Sequence, residues 1–149
     1  MKTLQMQSCV HENATVECAL VEITVPEPGP EQVVVAIDAA PINPSDLGLM
    51  FGAADLSSAR AAERDSQPAL ILDVPPAAMR AMAPRVGQWM PVGNEGSGRV
   101  IAAGASAEAQ ALLGHRVGMF GGEMYAGYRC LPVQQCMACL LYTSPSPRD

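Results

Sequence analysis

Alternating apolar and polar residues mark the first part of the chain as β-structure. The segments Leu4–Val10 and Thr15–Val25 follow the two-residue period of half-buried strands. The proline-rich run 26–31 separates them from Gln32–Ala40, a nearly continuous apolar run. β-Branched residues at this density predict a central strand that is buried on both faces. Asp38 interrupts the run, so we expect it to be exposed or to lie at the strand end.

A short helix is predicted after this strand. Asn43 is a good N-cap, Pro44 suits the first helical position, and Asp46 places a carboxylate in the first turn. The helix should run to about Met50 and end at Gly52. Capping by itself explains Asn43, Pro44 and Asp46, so the pattern leaves open whether they also have a chemical role.

The alanine-rich region 53–86 has the composition of helices. It predicts one helix over Asp55–Asp65 and a second over Pro76–Met82, with a short strand at Leu70–Val74 between them. Pro84 is expected to stop the second helix.

Three glycines, at positions 93, 96 and 98, mark a turn within the stretch PVGNEGSGRVIAAG (91–104). This turn leads into a strand at Val100–Ala102. A dinucleotide-binding loop has the opposite order, with the strand first and a helix after the glycines, so this spacing is not that fingerprint.

The remaining pattern predicts one more short helix and two more strands, namely a helix between Ser106 and Gly114 and strands at His115–Phe120 and Ala126–Val133. Many short strands with small inserted helices predict a mainly β fold with short helices. Such a fold is closer to a partly open β-barrel than to a sandwich.

Composition limits the class of protein. The 149 residues suit one domain, and 49% hydrophobic residues provide for a real core. Net charge is −6, with one lysine and eight arginines spread thinly, so nucleic acid and membranes are not expected partners. No signal-peptide pattern or stretch of transmembrane length is present, and the five cysteines are irregularly spaced. We therefore expect free thiols and a cytoplasmic location.

The end of the sequence differs from the rest. From about Ala138 the chain becomes rich in serine and proline and loses its periodicity. It also resembles translated adapter sequence. We therefore predict one domain over residues 1–137 and a disordered, non-native tail over 138–149.

Four segments resemble, in order, the N-terminal half of medium-chain dehydrogenases/reductases. They are AAPINPSDLGLMFG (39–52), PVGNEGSGRVIAAG (91–104), GHRVGMF (114–120) and YAGYRCLP (125–132). They look most like the zinc-free quinone oxidoreductase and enoyl-reductase branch. The resemblance implies a GroES-like, partly open β-barrel that forms one wall of an active-site cleft. The other wall would be a Rossmann domain that binds NADPH or NADH, and no such unit follows residue 133.

The resemblance also bears on metal binding. Zinc-dependent relatives carry a cysteine ligand at the place of Asn43 and a histidine ligand at the place of Asn94. Neutral carboxamides are poor zinc ligands, so we expect no catalytic zinc. The segment 99–118 contains no cysteine, so the structural zinc lobe of the family is also not expected.

The resemblance assigns roles to five residues. Asn43 and Asn94 are the predicted catalytic hydrogen-bond donors, Asn43 and Asp46 the predicted cofactor contacts, and Asn94, Glu95 and Tyr125 the predicted lining of the substrate cleft. Two structural alternatives stay open: Glu95 as a buried carboxylate bonded to turn amides, and Tyr125 as a packed strand aromatic.

One departure concerns the substrate. Enoyl-reductase relatives carry a tyrosine shortly after the glycine that corresponds to Gly52, whereas this chain continues with Ala53, Ala54 and Asp55. The difference argues against an enoyl-thioester substrate.

Two cysteine patterns carry weaker signals. Cys9 and His11, with Cys18, lack further ligands at sensible spacing, and Cys136 and Cys139 form a CxxC without a partner pair. Free thiols are the simpler interpretation of both.

Two functions from different classes follow. The first is a fragment of an NAD(P)H-dependent, zinc-independent oxidoreductase that transfers hydride to a quinone or an activated C=C or C=O substrate. Such a fragment should be inactive alone, and the whole protein is compatible with a homodimer. The second is a stand-alone GroES-like module with a structural or binding role.

Overall fold

The computed structural model describes residues 1–138. Ten strands, three short α-helices and two single turns of 3₁₀ helix (Ala83–Arg85 and Val133–Gln135) follow one another along these residues. The strands are β1 (Lys2–His11), β2 (Thr15–Thr24), β3 (Gln32–Ala39), β4 (Asp55–Arg64), β5 (Gln67–Asp73), β6 (Met90–Pro91), β7 (Glu95–Ala103), β8 (Arg116–Phe120), β9 (Tyr128–Pro132) and β10 (Cys136–Ala138). The helices are α1 (Pro44–Phe51), α2 (Pro76–Met82) and α3 (Ala107–Leu112).

The strands form two antiparallel sheets of five strands each. One sheet has the order β4-β5-β2-β1-β6 and the other β10-β8-β7-β3-β9. A single bridge between Gln5 of β1 and Ala126, just before β9, joins the two sheets without closing them. The predicted fold class, mainly β with short helices in a partly open barrel, is confirmed.

The valine-rich run forms the central strand of the second sheet. Val33, Val34 and Val35 are all buried, and β3 pairs with β7 on one side and β9 on the other. Val33 and Val35 pack into one core cluster and Val34 into another, so the strand is buried on both faces as predicted. Asp38 lies exposed near the strand end, where its carboxylate pairs with Arg116 at 2.7 Å.

The helix predicted over Asp55–Asp65 is wrong, because this segment is strand β4. It pairs with β5 in a hairpin, and β5 in turn pairs with β2, beginning three residues earlier than predicted. The two turn residues, Asp65 and Ser66, both have positive φ (49° and 63°), as a tight hairpin turn requires. Pairing with a sheet outweighs the helix propensity of alanine, which amounts to only tenths of a kcal/mol per residue.

The other predicted helices are confirmed. The helix α2 has the predicted bounds, Pro76–Met82. At the start of α3, the Ser106 hydroxyl accepts a hydrogen bond from the Ala109 amide at 3.1 Å. The turn after α3 ends at Gly114, which has a φ of 79°.

The predicted tail lies almost wholly outside the described residues. Ala138 is described and pairs with Val117 as the last residue of β10. The prediction for residues 139–149, which include the second cysteine of the CxxC, lies outside the described residues. In residues 1–138, no helix has the length and apolar character needed to cross a membrane.

Candidate active site

One buried carboxylate joins the two asparagine-bearing segments. Asp46 is completely buried. Its Oδ2 accepts a hydrogen bond from the Asn43 amide and its Oδ1 accepts one from the Asn94 amide, both at 2.9 Å. Asn94 lies 48 residues further along the chain, at the start of the glycine-rich turn. Asp46 therefore holds the start of α1 and the turn before β7 together.

The sequence around α1 explains how Asp46 reaches both amides. Asn43 is extended (φ −92°, ψ 158°) and Pro44 opens the helix, so Asp46 is the third helical residue. From that position a carboxylate can bond back to the N-cap amide, and the helix dipole favours its negative charge. The second oxygen is then free to bind the Asn94 amide.

The Asn94 side chain is held in place by α1. Its Nδ2 donates to the Ser45 hydroxyl at 2.9 Å. Its backbone carbonyl accepts hydrogen bonds from Gly121 (3.2 Å) and Gly122 (3.4 Å), in the turn after β8. These bonds fix Asn94 beside the start of α1.

Tyr125 closes the other side of this cluster. Its hydroxyl donates to the Pro41 carbonyl at 2.9 Å, and its ring packs on Gly93. Gly93 has a φ of 94°, and a Cβ there would lie 2.6 Å from the Tyr125 ring. Burial, and after it the nearby negative charge of Asp46, raise the pKa of Tyr125. The phenol is therefore a hydrogen-bond donor at neutral pH.

Glu95 lines an open cleft of about 450 Å³ beside this cluster. The side chain is exposed, so the alternative interpretation of Glu95 as a buried carboxylate bonded to turn amides is wrong. The other walls are mostly apolar and include Pro41, Ser97, Phe120 and Met137. Of the three residues predicted to line the substrate cleft, Glu95 alone lines this one, and Asn94 and Tyr125 do not.

The structure brings the predicted residues together with different exposures. Asn43, Asn94 and Tyr125 are partly exposed, whereas Asp46 is buried with both oxygens bonded to backbone amides. A carboxylate so enclosed acts by holding the backbone of Asn43 and Asn94. Direct contact of Asp46 with a cofactor has no support in this geometry.

Two residues of this region were not singled out in the sequence. The Ser45 hydroxyl accepts a hydrogen bond from Asn94 Nδ2. Its position in the sequence, between Pro44 and Asp46, was the signal that could have identified it. Arg85 donates to the carbonyls of Gly48 (3.4 Å) and Leu49 (2.5 Å) near the end of α1. No sequence pattern pointed to this long-range contact.

The weaker cysteine signals have structural explanations. The His11 ring pairs with Glu17 at 2.8 Å and lies edge-on to Trp89. The Cys9 thiol is buried and donates to the carbonyl of Val10 at 3.6 Å. Among residues 1–138, no group of three histidine, cysteine or acidic side chains is placed to hold a metal ion.

Comparison with known proteins rests on structure, because no family profile and no curated protein sequence matches this chain. The quinone oxidoreductase from Coxiella burnetii aligns with 93% of this chain at a TM-score of 0.58 and 16% identity. The CurK enoyl reductase aligns with 95% at 0.58 and 15% identity. The chain has the fold of part of these reductases.

The same fold also occurs in a candidate zinc-binding dehydrogenase from Clostridium scindens, with a TM-score of 0.56 and 19% identity. The fold by itself therefore does not decide whether zinc takes part. This chain spans 37% of the length of the Coxiella burnetii protein, 36% of that of CurK and 40% of that of the Clostridium scindens protein. The resemblance predicted from the four sequence segments is confirmed at the level of the fold.

Proposed function

We propose that this chain is the substrate-side part of a zinc-independent, NAD(P)H-dependent oxidoreductase of the medium-chain family. Its substrate would be a quinone or an activated C=C or C=O compound. The observation that carries the proposal is the buried Asp46 carboxylate, which holds Asn43 and Asn94 beside an open cleft.

The carboxamides supply hydrogen bonds to the substrate. A bound nicotinamide would supply the hydride, and negative charge then develops on the substrate oxygen. Preorganised N–H donors aimed at such an oxygen stabilise the transition state. Asn94, oriented by Ser45, and Asn43, at the start of α1, are the donors that this chain offers. Asn43 is also our candidate for contact with the nicotinamide or its ribose.

The donor set fits a reaction without zinc. Zinc prefers thiolate, imidazole and carboxylate ligands. At the two ligand positions implied by the resemblance this chain has carboxamides, and the Asp46 carboxylate between them has both oxygens committed to backbone amides. A metal bound by Asp46 would have to displace one or both of those hydrogen bonds.

The apolar surface beside the site suggests what covers it in the whole protein. Ile42 and Leu47 are 72% and 44% exposed, next to Asn43 and Asp46, and Met137, in the cleft wall, is 61% exposed. We propose that a cofactor-binding domain packs here and completes the cleft. On this proposal the chain alone is inactive and binds NAD(P)H only weakly.

The test is reduction of a panel of quinones and enones by the whole protein, followed as oxidation of NADPH and of NADH. Asn94→Ala should lower kcat/KM about 100-fold, the size of effect expected for one lost transition-state donor. Asn13→Ala, which removes an exposed carboxamide in the β1–β2 turn, is the matched control and should leave it unchanged. If neither cofactor is oxidised with any substrate, the reductase proposal fails.

The alternative is a module that has a structural or binding role and no reductase activity. This alternative is favoured if the whole protein is folded but oxidises neither NADPH nor NADH with any substrate of the panel.

A further inference from the structure

The β8–β9 loop, residues 121–127, contains three consecutive residues with positive φ. They are Gly121 (113°), Gly122 (94°) and Glu123 (66°). Glycine adopts such a conformation freely, whereas glutamate adopts it at a cost in free energy. The conformation of Glu123 therefore persists only if neighbouring contacts stabilise it.

Backbone hydrogen bonds join the β8–β9 loop to the turn that carries Asn94. The amides of Gly121 and Gly122 donate to the Asn94 carbonyl at 3.2 and 3.4 Å. Two further bonds, of 3.0 and 3.1 Å, join the amides of Met124 and Tyr125 to the carbonyls of the two residues just before Asn94. The position of Asn94 therefore depends on the conformation of this loop as well as on α1.

Arg129, on the neighbouring strand β9, contacts the strained part of the loop. Its Nη1 pairs with the Glu123 carboxylate at 3.2 Å, and its Nε donates to the Gly122 carbonyl at 3.5 Å. Nη1 also donates to the Cys130 carbonyl at 2.6 Å, which ties the guanidinium to β9. The Arg129 side chain is only 21% exposed, so solvent and salt screen these interactions less than they screen a pair on the open surface.

We propose that Arg129 is a positioning residue for Asn94. Its ion pair with Glu123 holds the β8–β9 loop in the conformation that brings the loop amides onto the Asn94 carbonyl. The link to catalysis rests on the proposed function, in which Asn94 donates a hydrogen bond to the substrate oxygen. The link from Arg129 to the position of Asn94 rests on the contacts alone.

The first test is hydrogen exchange at the loop amides of this chain. Arg129→Met removes the charge, and exchange at Gly121 and Gly122 should become about threefold to tenfold faster, as expected for the loss of a partly buried ion pair. Arg129→Lys keeps the charge and should restore part of the protection. The matched control is Arg116→Met, which breaks the ion pair with Asp38 at the start of β8 and should leave these rates unchanged.

Replacing Glu123 separates the ion pair from the backbone conformation. Glycine adopts a positive φ without cost, so in a Glu123→Gly background Arg129→Met should change the exchange rates by less than about twofold. Should Arg129→Met not fold, Glu123→Gln breaks the same pair and should speed exchange equally. Unchanged exchange when the pair is broken, or an equal effect in the glycine background, would overturn the proposal.

The catalytic part is tested with the whole protein and its best quinone or enone. Arg129→Met should lower kcat about tenfold and leave KM within about twofold, because a displaced transition-state donor costs rate and not substrate binding. In combination with Asn94→Ala it should lower kcat no further than Asn94→Ala alone, since Arg129 acts through Asn94. A further loss in the double variant would contradict the proposal. If the wild-type protein reduces no substrate while the exchange results hold, the proposed function fails but the role of Arg129 in holding Asn94 stands.

Discussion

Replacing Asp46 with asparagine tests whether this carboxylate organises the candidate site. Asp46 is fully buried, and each of its oxygens accepts a backbone amide hydrogen bond. Asparagine keeps one acceptor but turns an NH₂ group toward the other amide. One hydrogen bond to a charged group is lost, worth about 1.5–3 kcal/mol. The backbone N–H that made it then faces the new NH₂ group without an acceptor, at a further cost of about 1–3 kcal/mol. Relief of the buried charge offsets part of this.

We therefore expect Asp46→Asn to lower the free energy of unfolding by about 2–4 kcal/mol, measured by urea denaturation. Hydrogen exchange should speed up at the amides of Asn43 and Asn94 before it does so in the central strand β3. The matched control is Asp38→Asn, which breaks an exposed ion pair with Arg116 and should cost under about 1 kcal/mol. Equal losses for the two variants, with unchanged exchange at both amides, would refute the reasoning.

Three further predictions concern stability and reactivity. Gly93→Ala should destabilise the chain by about 2–4 kcal/mol, because a Cβ would meet Tyr125 and φ is positive; Gly118→Ala, where a Cβ meets nothing within 4 Å, should not. The raised pKa of Tyr125 contributes stability that is complete below its ordinary pKa of 10.0 and is lost as pH rises through the raised value. Denaturation at several pH values should show that Tyr125→Phe flattens this alkaline loss, and an unaltered profile would contradict it. Burial raises the pKa of Cys136 to about 11, against 9.0 ordinarily. The thiolate fraction is then about 100-fold smaller, but the stronger nucleophilicity of such a thiolate offsets part of this, so iodoacetamide should label Cys136 about tenfold more slowly than a free thiol, as followed by mass spectrometry. Equal rates in the folded and the urea-unfolded chain would contradict this prediction.

Much of the fold was predictable because its elements carry local signals. The alternation in β1 and β2, the valine run of β3 and the Asn-Pro start of α1 each point to one structure. The β4 strand was not predictable, since it is rich in alanine and mostly exposed, and its turn uses Asp65 and Ser66 where glycine would have been the signal. Its structure depends on pairing with β5, a contact that composition does not encode.

The residues of the candidate site were proposed from the resemblance, whereas the contacts between them were not predictable. Asn43 and Asn94 stood out because the resemblance places metal ligands there. The bond from Asp46 to the Asn94 amide spans 48 residues, and no periodicity reports a contact of that range. Periodicity also gives no sign that Glu95 is exposed, because its exposure depends on how the start of β7 packs against the end of β3.

The central claim is that Asn43 and Asn94 serve a hydride-transfer site that works without metal. The most direct test is the rate of NADPH and NADH oxidation by the whole protein, with its best quinone or enone, before and after exhaustive dialysis against a chelator. The account predicts the same rate in both samples and no stoichiometric zinc in either by elemental analysis. A rate that is lost on dialysis and restored by zinc, with one zinc bound per chain, would contradict it.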